Sequence, residues 1–209
     1  MITDIGRPRS IAFYLPQFHP TPENNDWWGK GFTEWTNVAK ARPLFPGHVQ
    51  PRIPGELGFY DLRLAESRID QGKLADEYGV DAFCYWHYWF GNGRRILHRP
   101  FDEVLAAGEP KHSFCLGWAN QTWTGNLARR RRSDLIEQTY PGPEDEQAHF
   151  DHLLTAFRDP RYFTVHDRPL FYVFRPEQLP EPARWWIDGR AWLRQQVCRA
   201  CISWLRSAT

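Results

Sequence analysis

No run of about eighteen consecutive apolar residues occurs in this chain, so no helical membrane span is expected. The N-terminus also lacks the charged-then-apolar order of a secretory leader, and a cytoplasmic protein is the simplest expectation. Charge of one sign is scarce: 26 Lys and Arg stand against 25 Asp and Glu, a formal net charge of +1. No global field therefore favours nucleic acid or an anionic membrane as a partner. Cysteine is limited to four residues. Cys84 and Cys115 lie in apolar runs and read as small core hydrophobes. Cys198 and Cys201 form one CxxC, short of the four ligands of a zinc site. With no HxH or HExxH spacing around the strand-end histidines, and no Walker loop or GxGxxG turn, neither a metal nor a cofactor is expected.

Aromatics are what the chain has in quantity: 11 Trp, 8 Tyr and 14 Phe among 209 residues. They gather in three polar-interleaved clusters. The first runs from Tyr14-Leu15-Pro16-Gln17-Phe18-His19 through Trp27-Trp28 to Phe32-Thr33-Glu34-Trp35. The second is Tyr85-Trp86-His87-Tyr88-Trp89-Phe90, and the third Trp118-Ala119-Asn120-Gln121-Thr122-Trp123. Large aromatics usually sit in cores. Rings interleaved with amides, imidazoles and carboxylates suit a concave sugar site instead, where flat faces stack on pyranose C–H faces and amides pair with hydroxyls.

Four short runs, apolar on both faces, read as strands of a parallel sheet covered by helices: 11–15, 82–85, 114–118 and 170–174. Helices are expected from a cap at Asp61 to about Tyr78 with Gly79 as the stop, around 101–107, and over 144–157 behind Pro141-Gly142-Pro143. This order is that of an α/β fold. Each aromatic cluster follows the C-terminal end of a strand, where a (β/α)8 barrel builds its site, so a TIM-like barrel is preferred over an open sheet. The connection from Pro16 to Tyr60 is far longer than usual, which marks a functional first βα loop.

Only four strands are visible where a barrel needs eight, so 1–184 reads as the N-terminal part of an incomplete barrel. From Trp185 the composition changes and helical periodicity is lost. A shifted reading frame over Gly189–Trp204 permits a helix end, a turn and a strand, and 185–209 is expected to be an aberrant, out-of-frame tail with no function assigned to its CxxC. Arg129–Arg132 reads as a solvated loop face rather than a phosphate site.

Several ordered motifs resemble the WbsX-type family, also described as glycoside hydrolase family 99-like domains. They are Tyr14-Leu15-Pro16-Gln17-Phe18-His19-Pro20, Trp27-Trp28-Gly29-Lys30-Gly31-Phe32-Thr33-Glu34-Trp35-Thr36-Asn37, Leu57-Gly58-Phe59-Tyr60-Asp61, Phe83 to Phe90, Gly117 to Trp123, Ile136 to Tyr140 and Arg168 to Phe171. The resemblance covers about Ser10 to Pro180. It implies a (β/α)8-type carbohydrate-active domain of lipopolysaccharide O-antigen or capsule metabolism, with members labelled glycosyltransferase or hydrolase-like. Many relatives carry Glu directly after the Asn of the third motif. This chain has Gln121, so an acid or base role does not transfer to that position.

Glycoside hydrolysis generally needs two carboxyl groups. Glu34, between Phe32 and Trp35, is the candidate catalytic carboxylate, preferred over Asp26 because neighbouring rings exclude water. Tyr14, Gln17, His19, Trp27, His87, Trp89, Asn120, Gln121 and Trp123 are the candidate substrate-binding residues, all expected to line one cleft with Glu34 at the mouth of the barrel. The expected partner is an oligosaccharide or polysaccharide, with no nucleic acid. A non-catalytic carbohydrate-binding or assembly domain, or an inactive truncated fragment, is the alternative.

Overall fold

The computed structural model describes residues 7–125 and 134–182. The arginine run 129–132 and the tail 185–209 with its CxxC lie outside the described residues.

In chain order the elements are β1 (Ile11–Tyr14), α1 (Pro22–Trp28), α2 (Glu34–Lys40), α3 (Ala65–Glu77), β2 (Ala82–His87), α4 (Arg99–Ala107), β3 (Phe114–Trp118), β4 (Trp123–Thr124), β5 (Asp134–Ile136), α5 (Pro143–Phe157), β6 (Thr164–Val165), β7 (Arg168–Pro169) and β8 (Phe171–Val173), followed by a 3-10 turn over Pro176–Gln178. Four strands form one sheet in the order β1-β2-β3-β8. Every pairing in it is parallel, with Tyr14 opposite Tyr85, His87 opposite Trp118 and Trp118 opposite Val173. The C-terminal ends of all four strands therefore share one edge, as the sequence pattern predicts, and the protein is an α/β fold built on parallel strands.

Helices pack on one face of the sheet. Gln71 of α3 accepts a hydrogen bond from Tyr14 Oη at 2.6 Å. Phe101 of α4 meets Tyr85 and Phe114, and Phe157 of α5 meets Phe171. α5 opens with Pro143 and places Glu144, Asp145 and Glu146 in its first turn, where carboxylates oppose the positive end of the helix dipole. Its buried residues His149, Phe150, Leu153, Leu154, Ala156 and Phe157 form the helical stripe that faces the sheet.

Two expectations need correcting. Asp61 does not cap α3, which starts at Ala65 with Leu64 at its N-cap. The Asp61 carboxylate instead accepts from the Arg63 backbone N–H at 2.9 Å and pairs with the Arg63 guanidinium, closing a local turn. α3 also buries Arg68, Gln71 and Gly72 rather than an apolar stripe, so its inward face carried no hydrophobic period to read. The buried Arg68 guanidinium is satisfied by the Leu62 carbonyl at 2.5 Å and by Glu103 at 2.8 Å, as a buried charge requires. Gly72 has a packing reason: a Cβ there would lie 2.7 Å from Pro110 Cβ. The long first loop, in turn, is partly structured, because it contains the seven-residue helices α1 and α2.

Candidate functional site

The loop after β1 builds one wall of a cleft at the C-terminal edge of the sheet. Thr21 caps α1, its hydroxyl accepting from the Asn24 N–H at 3.2 Å, with Pro22 in the first turn. α2 begins at Glu34, whose backbone N–H donates to the Gln17 carbonyl at 3.1 Å. That bond ties the start of α2 to the residues leaving β1 and sets where the Glu34 carboxylate points. The Asn37 amide, one turn on, donates to Glu34 Oε2 at 3.1 Å.

The opposite wall comes from the segment after β3. Gln138 donates its backbone N–H to Thr122 Oγ1 at 3.0 Å, and Trp123 of β4 pairs with Ile136 of β5. The indole of Trp123 lies 6.0 Å from that of Trp27 and 5.3 Å, edge to face, from the ring of Tyr88. The cleft between the walls holds about 540 Å³ and is lined by Gln17, Trp28, Phe32, Glu34, Gln121 and Trp123, together with Asn37, Thr122, Thr124 and Leu135. Tyr88 sits behind it: burial, and then the Glu34 carboxylate, raise its phenol above the ordinary tyrosine range.

Of the ten candidates, the structure brings Gln17, Glu34, Gln121 and Trp123 into this cleft, with Trp27 at its margin against Trp123. The other five lie elsewhere. Tyr14 points into the helical layer and bonds to Gln71. His19 is 1% exposed, with Nδ1 2.6 Å from the Pro16 carbonyl, and burial holds its imidazole below the usual histidine range. Asn120 is fully buried and bridges two strand ends: its Nδ2 donates to the Arg175 carbonyl at 2.8 Å and to Tyr140 Oη at 3.1 Å, while Oδ1 accepts the Arg175 N–H at 2.7 Å.

His87 and Trp89 belong to a buried imidazole and indole stack on the helical face. His87 Nε2 is 2.8 Å from His149 Nε2, and Trp89 stacks on His149 at 4.7 Å while its indole N–H donates to Asp145 at 3.1 Å. Two imidazole nitrogens in hydrogen-bond contact need one donor and one acceptor, so the accepting ring is neutral. Burial, and then the adjacent imidazoles, lower the pKa of both.

Tyr14 and His87 lie in β1 and β2, where alternate side chains face opposite sides of the sheet, and both face the helical layer; the other candidates, Trp123 of β4 apart, lie in loops and short helices beyond the strand ends, where no period separates cleft from core. Trp28, Phe32, Asn37 and Thr122, outside the ten candidates, also line the cleft and lie within the same motifs. His149 had no sequence signal, because its partner is 62 positions away.

A parallel α/β domain with a polar and aromatic cleft at the C-terminal edge of its strands is the class that fold and site define. Within that class the chain belongs to the family described as "Glycosyltransferase WbsX", whose profile matches residues 10–202. Two curated relatives, each named "Uncharacterized protein WxcX", come from Xanthomonas campestris pv. campestris strains B100 and ATCC 33913. Both are 47% identical over 184 residues, covering 88% of this chain and 26% of their own length. The chain thus spans about a quarter of these relatives. Among solved structures, a "Glycoside hydrolase-like protein" superposes with a TM-score of 0.54 at 12% identity, over 98% of this chain and 53% of that one. The GH99 endo-alpha-mannosidase of Bacteroides thetaiotaomicron superposes at 0.46, with 15% identity over 79% of this chain and 41% of its own. Such identities speak to the fold alone. Among the described residues no helix is long and apolar enough to cross a membrane.

Proposed function

We propose that this chain is a carbohydrate-active domain whose cleft engages a glycosidic bond of a bacterial surface polysaccharide. The observation that carries the reading is the convergence of a carboxylate, three side-chain amides and aromatic rings from distant segments on one concavity of about 540 Å³. Trp123 offers a face for a pyranose ring, Gln17, Asn37 and Gln121 offer paired donors and acceptors for hydroxyls, and Glu34 is the group able to exchange a proton. Membership of the WbsX family supports surface polysaccharide as the substrate class. The family's description names a transferase and the solved neighbour's a hydrolase, so the glycosidic bond is the level at which both agree.

Non-catalytic binding is favoured by one observation: among the described residues that line the cleft, Glu34 is the only carboxylate, whereas hydrolysis uses two. Titration with O-antigen and capsule oligosaccharides, followed by tryptophan fluorescence and calorimetry, separates the readings. Trp123→Ala is expected to weaken binding by about tenfold or more, the scale of one lost stacking ring. Glu34→Gln is expected to keep binding and abolish turnover if the site is catalytic. Unaltered affinity in Trp123→Ala would remove the cleft from consideration.

A further inference from the structure

On the helical face of the sheet, opposite the aromatic face formed by Phe13 and Trp86, stands a column of rings that the proposed sugar chemistry does not use. The imidazoles of His149 and His152 on α5 lie 5.0 Å and 5.8 Å from that of His87, each tilted by 21°, and the Trp89 indole stacks on His149 at 4.7 Å. Hydrogen bonding fixes where the protons sit. The contact between His87 Nε2 and His149 Nε2, 2.8 Å apart, uses one N–H and one lone pair. Arg95 Nη1 lies 3.0 Å from His152 Nε2, and a guanidinium only donates, so that nitrogen is an unprotonated acceptor. In either contact an added proton turns the acceptor into a donor facing another donor.

Charged groups face this column from several elements. Arg95, before α4, grips Asp102 of α4 through both carboxylate oxygens at 3.0 Å. His98, at the start of α4, faces Arg95, Asp102 and Glu23 of α1. Asp145 of α5 accepts the Trp89 indole N–H, with Glu144 and Glu146 in the same first turn. Asp102 favours a charged His152, but it already pairs with Arg95, and burial followed by Arg95 holds that imidazole below the usual histidine range. The column is also tied to the cleft. The Trp89 carbonyl accepts from Trp118 Nε1 at 3.1 Å and Gln138 Nε2 at 3.0 Å, and the Phe90 carbonyl accepts from the Thr139 N–H at 3.2 Å and its hydroxyl at 2.7 Å. Gln138 in turn donates its backbone N–H to Thr122 Oγ1, and Ile136 pairs with Trp123. The wall that carries Trp123 thus hangs on backbone that the column positions.

We infer that the histidine column is an acid-sensitive latch on the cleft: its protonation frees the first turns of α5 and residues 134–140, and with them the Thr122–Trp123 wall. Release exposes imidazoles that take up protons near the ordinary histidine value of about 6.5, whereas the closed column binds them only at lower pH. Closure is therefore most favoured above that value and is lost as pH falls through it. The latch itself does not depend on the sugar reading; its effect on ligand binding rests on that reading.

Native-state hydrogen exchange of the whole chain in low urea tests it. At about pH 5.5 the amides of 134–140 and 143–149 should exchange through an opening with a shallower urea dependence than that of β2 and β3, and this opening should be more populated than at about pH 7.5. The slope of the logarithm of its population against pH counts the protons taken up. His152→Gln keeps an acceptor for Arg95 but takes no proton, and should lower that count by up to about one. His166→Asn, in the exposed turn between β6 and β7, should leave it unchanged. Exchange of these segments only through global unfolding, an opening independent of pH, or an unchanged proton count in His152→Gln would each overturn the latch. O-antigen and capsule oligosaccharides that bind should suppress the opening, because they favour the closed wall. An oligosaccharide that binds without suppressing it overturns the link to the cleft, whereas a chain that binds none removes the sugar reading and leaves the exchange result standing.

Discussion

Replacing Asn120 by Ala tests whether this residue holds the strand ends together or belongs to a binding surface. Its side chain is fully buried and makes three bonds, two to the Arg175 backbone and one to Tyr140 Oη. Each ordinary hydrogen bond contributes about 0.5–1.5 kcal/mol net, and a buried backbone group left without a partner costs about 1–3 kcal/mol. Arg175 would lose the partner of its N–H and one of the two donors to its carbonyl, which keeps the Gln178 N–H at 3.0 Å. The expected destabilisation is therefore about 2–4 kcal/mol, near the upper end of ordinary point substitutions. For a domain of this size that lowers Tm by roughly 5–15 °C. Urea and thermal unfolding of wild type, Asn120→Ala and Gln121→Ala measure it. Gln121 lines the cleft, so Gln121→Ala should unfold within about 0.5 kcal/mol of wild type, as surface substitutions do. A Tm for Asn120→Ala within measurement error of wild type would refute the bridging role.

Three further outcomes follow from the packing. Burial and the neighbouring imidazoles lower the pKa of His87 and His149 in the folded chain, so the unfolded chain binds more protons as pH falls below about 6.5. Stability should then drop as pH falls from about 7.5 to 5.5, before the carboxylates titrate, and equal urea midpoints at the two pH values would contradict it. Tyr14→Phe removes one buried bond to Gln71 and should cost about 1–2 kcal/mol in urea unfolding while leaving oligosaccharide affinity unchanged. Gly91→Ala should destabilise strongly, because φ is +91° and a Cβ would collide with Thr139 Oγ1, which a thermal melt reads directly.

Strand identity was legible in the sequence because each strand of this parallel sheet carries apolar side chains on both of its faces. Apolar runs such as Phe114-Cys115-Leu116 then stand out with no periodicity needed. The placement of aromatic and amide clusters beyond the strand ends was legible for the same reason, and with it the resemblance to the WbsX family. Helix α5 announced itself through Gly142, Pro143 and an acidic first turn, local signals that do not depend on contacts. The stop of α3 at Gly79 is legible, but its start at Ala65 is not. Its buried face is polar, and the Asp61 side chain chose Arg63 over the helix.

Only the tertiary structure decided which side of the sheet each candidate faces. Tyr14 and Phe13 are adjacent, as are His87 and Trp86, yet Tyr14 and His87 enter the helical layer while Phe13 and Trp86 form the aromatic face. Asn120 and Gln121 are adjacent too, and one is a buried bridge while the other lines the cleft. A strand reverses side with every residue, and a buried amide or imidazole is satisfied by partners dozens of positions away, such as Arg175 for Asn120 and His149 for His87. Local sequence determined the strands and the chemistry brought to their ends, while the division of that chemistry between cleft and core arose from contacts that form only when the chain is folded.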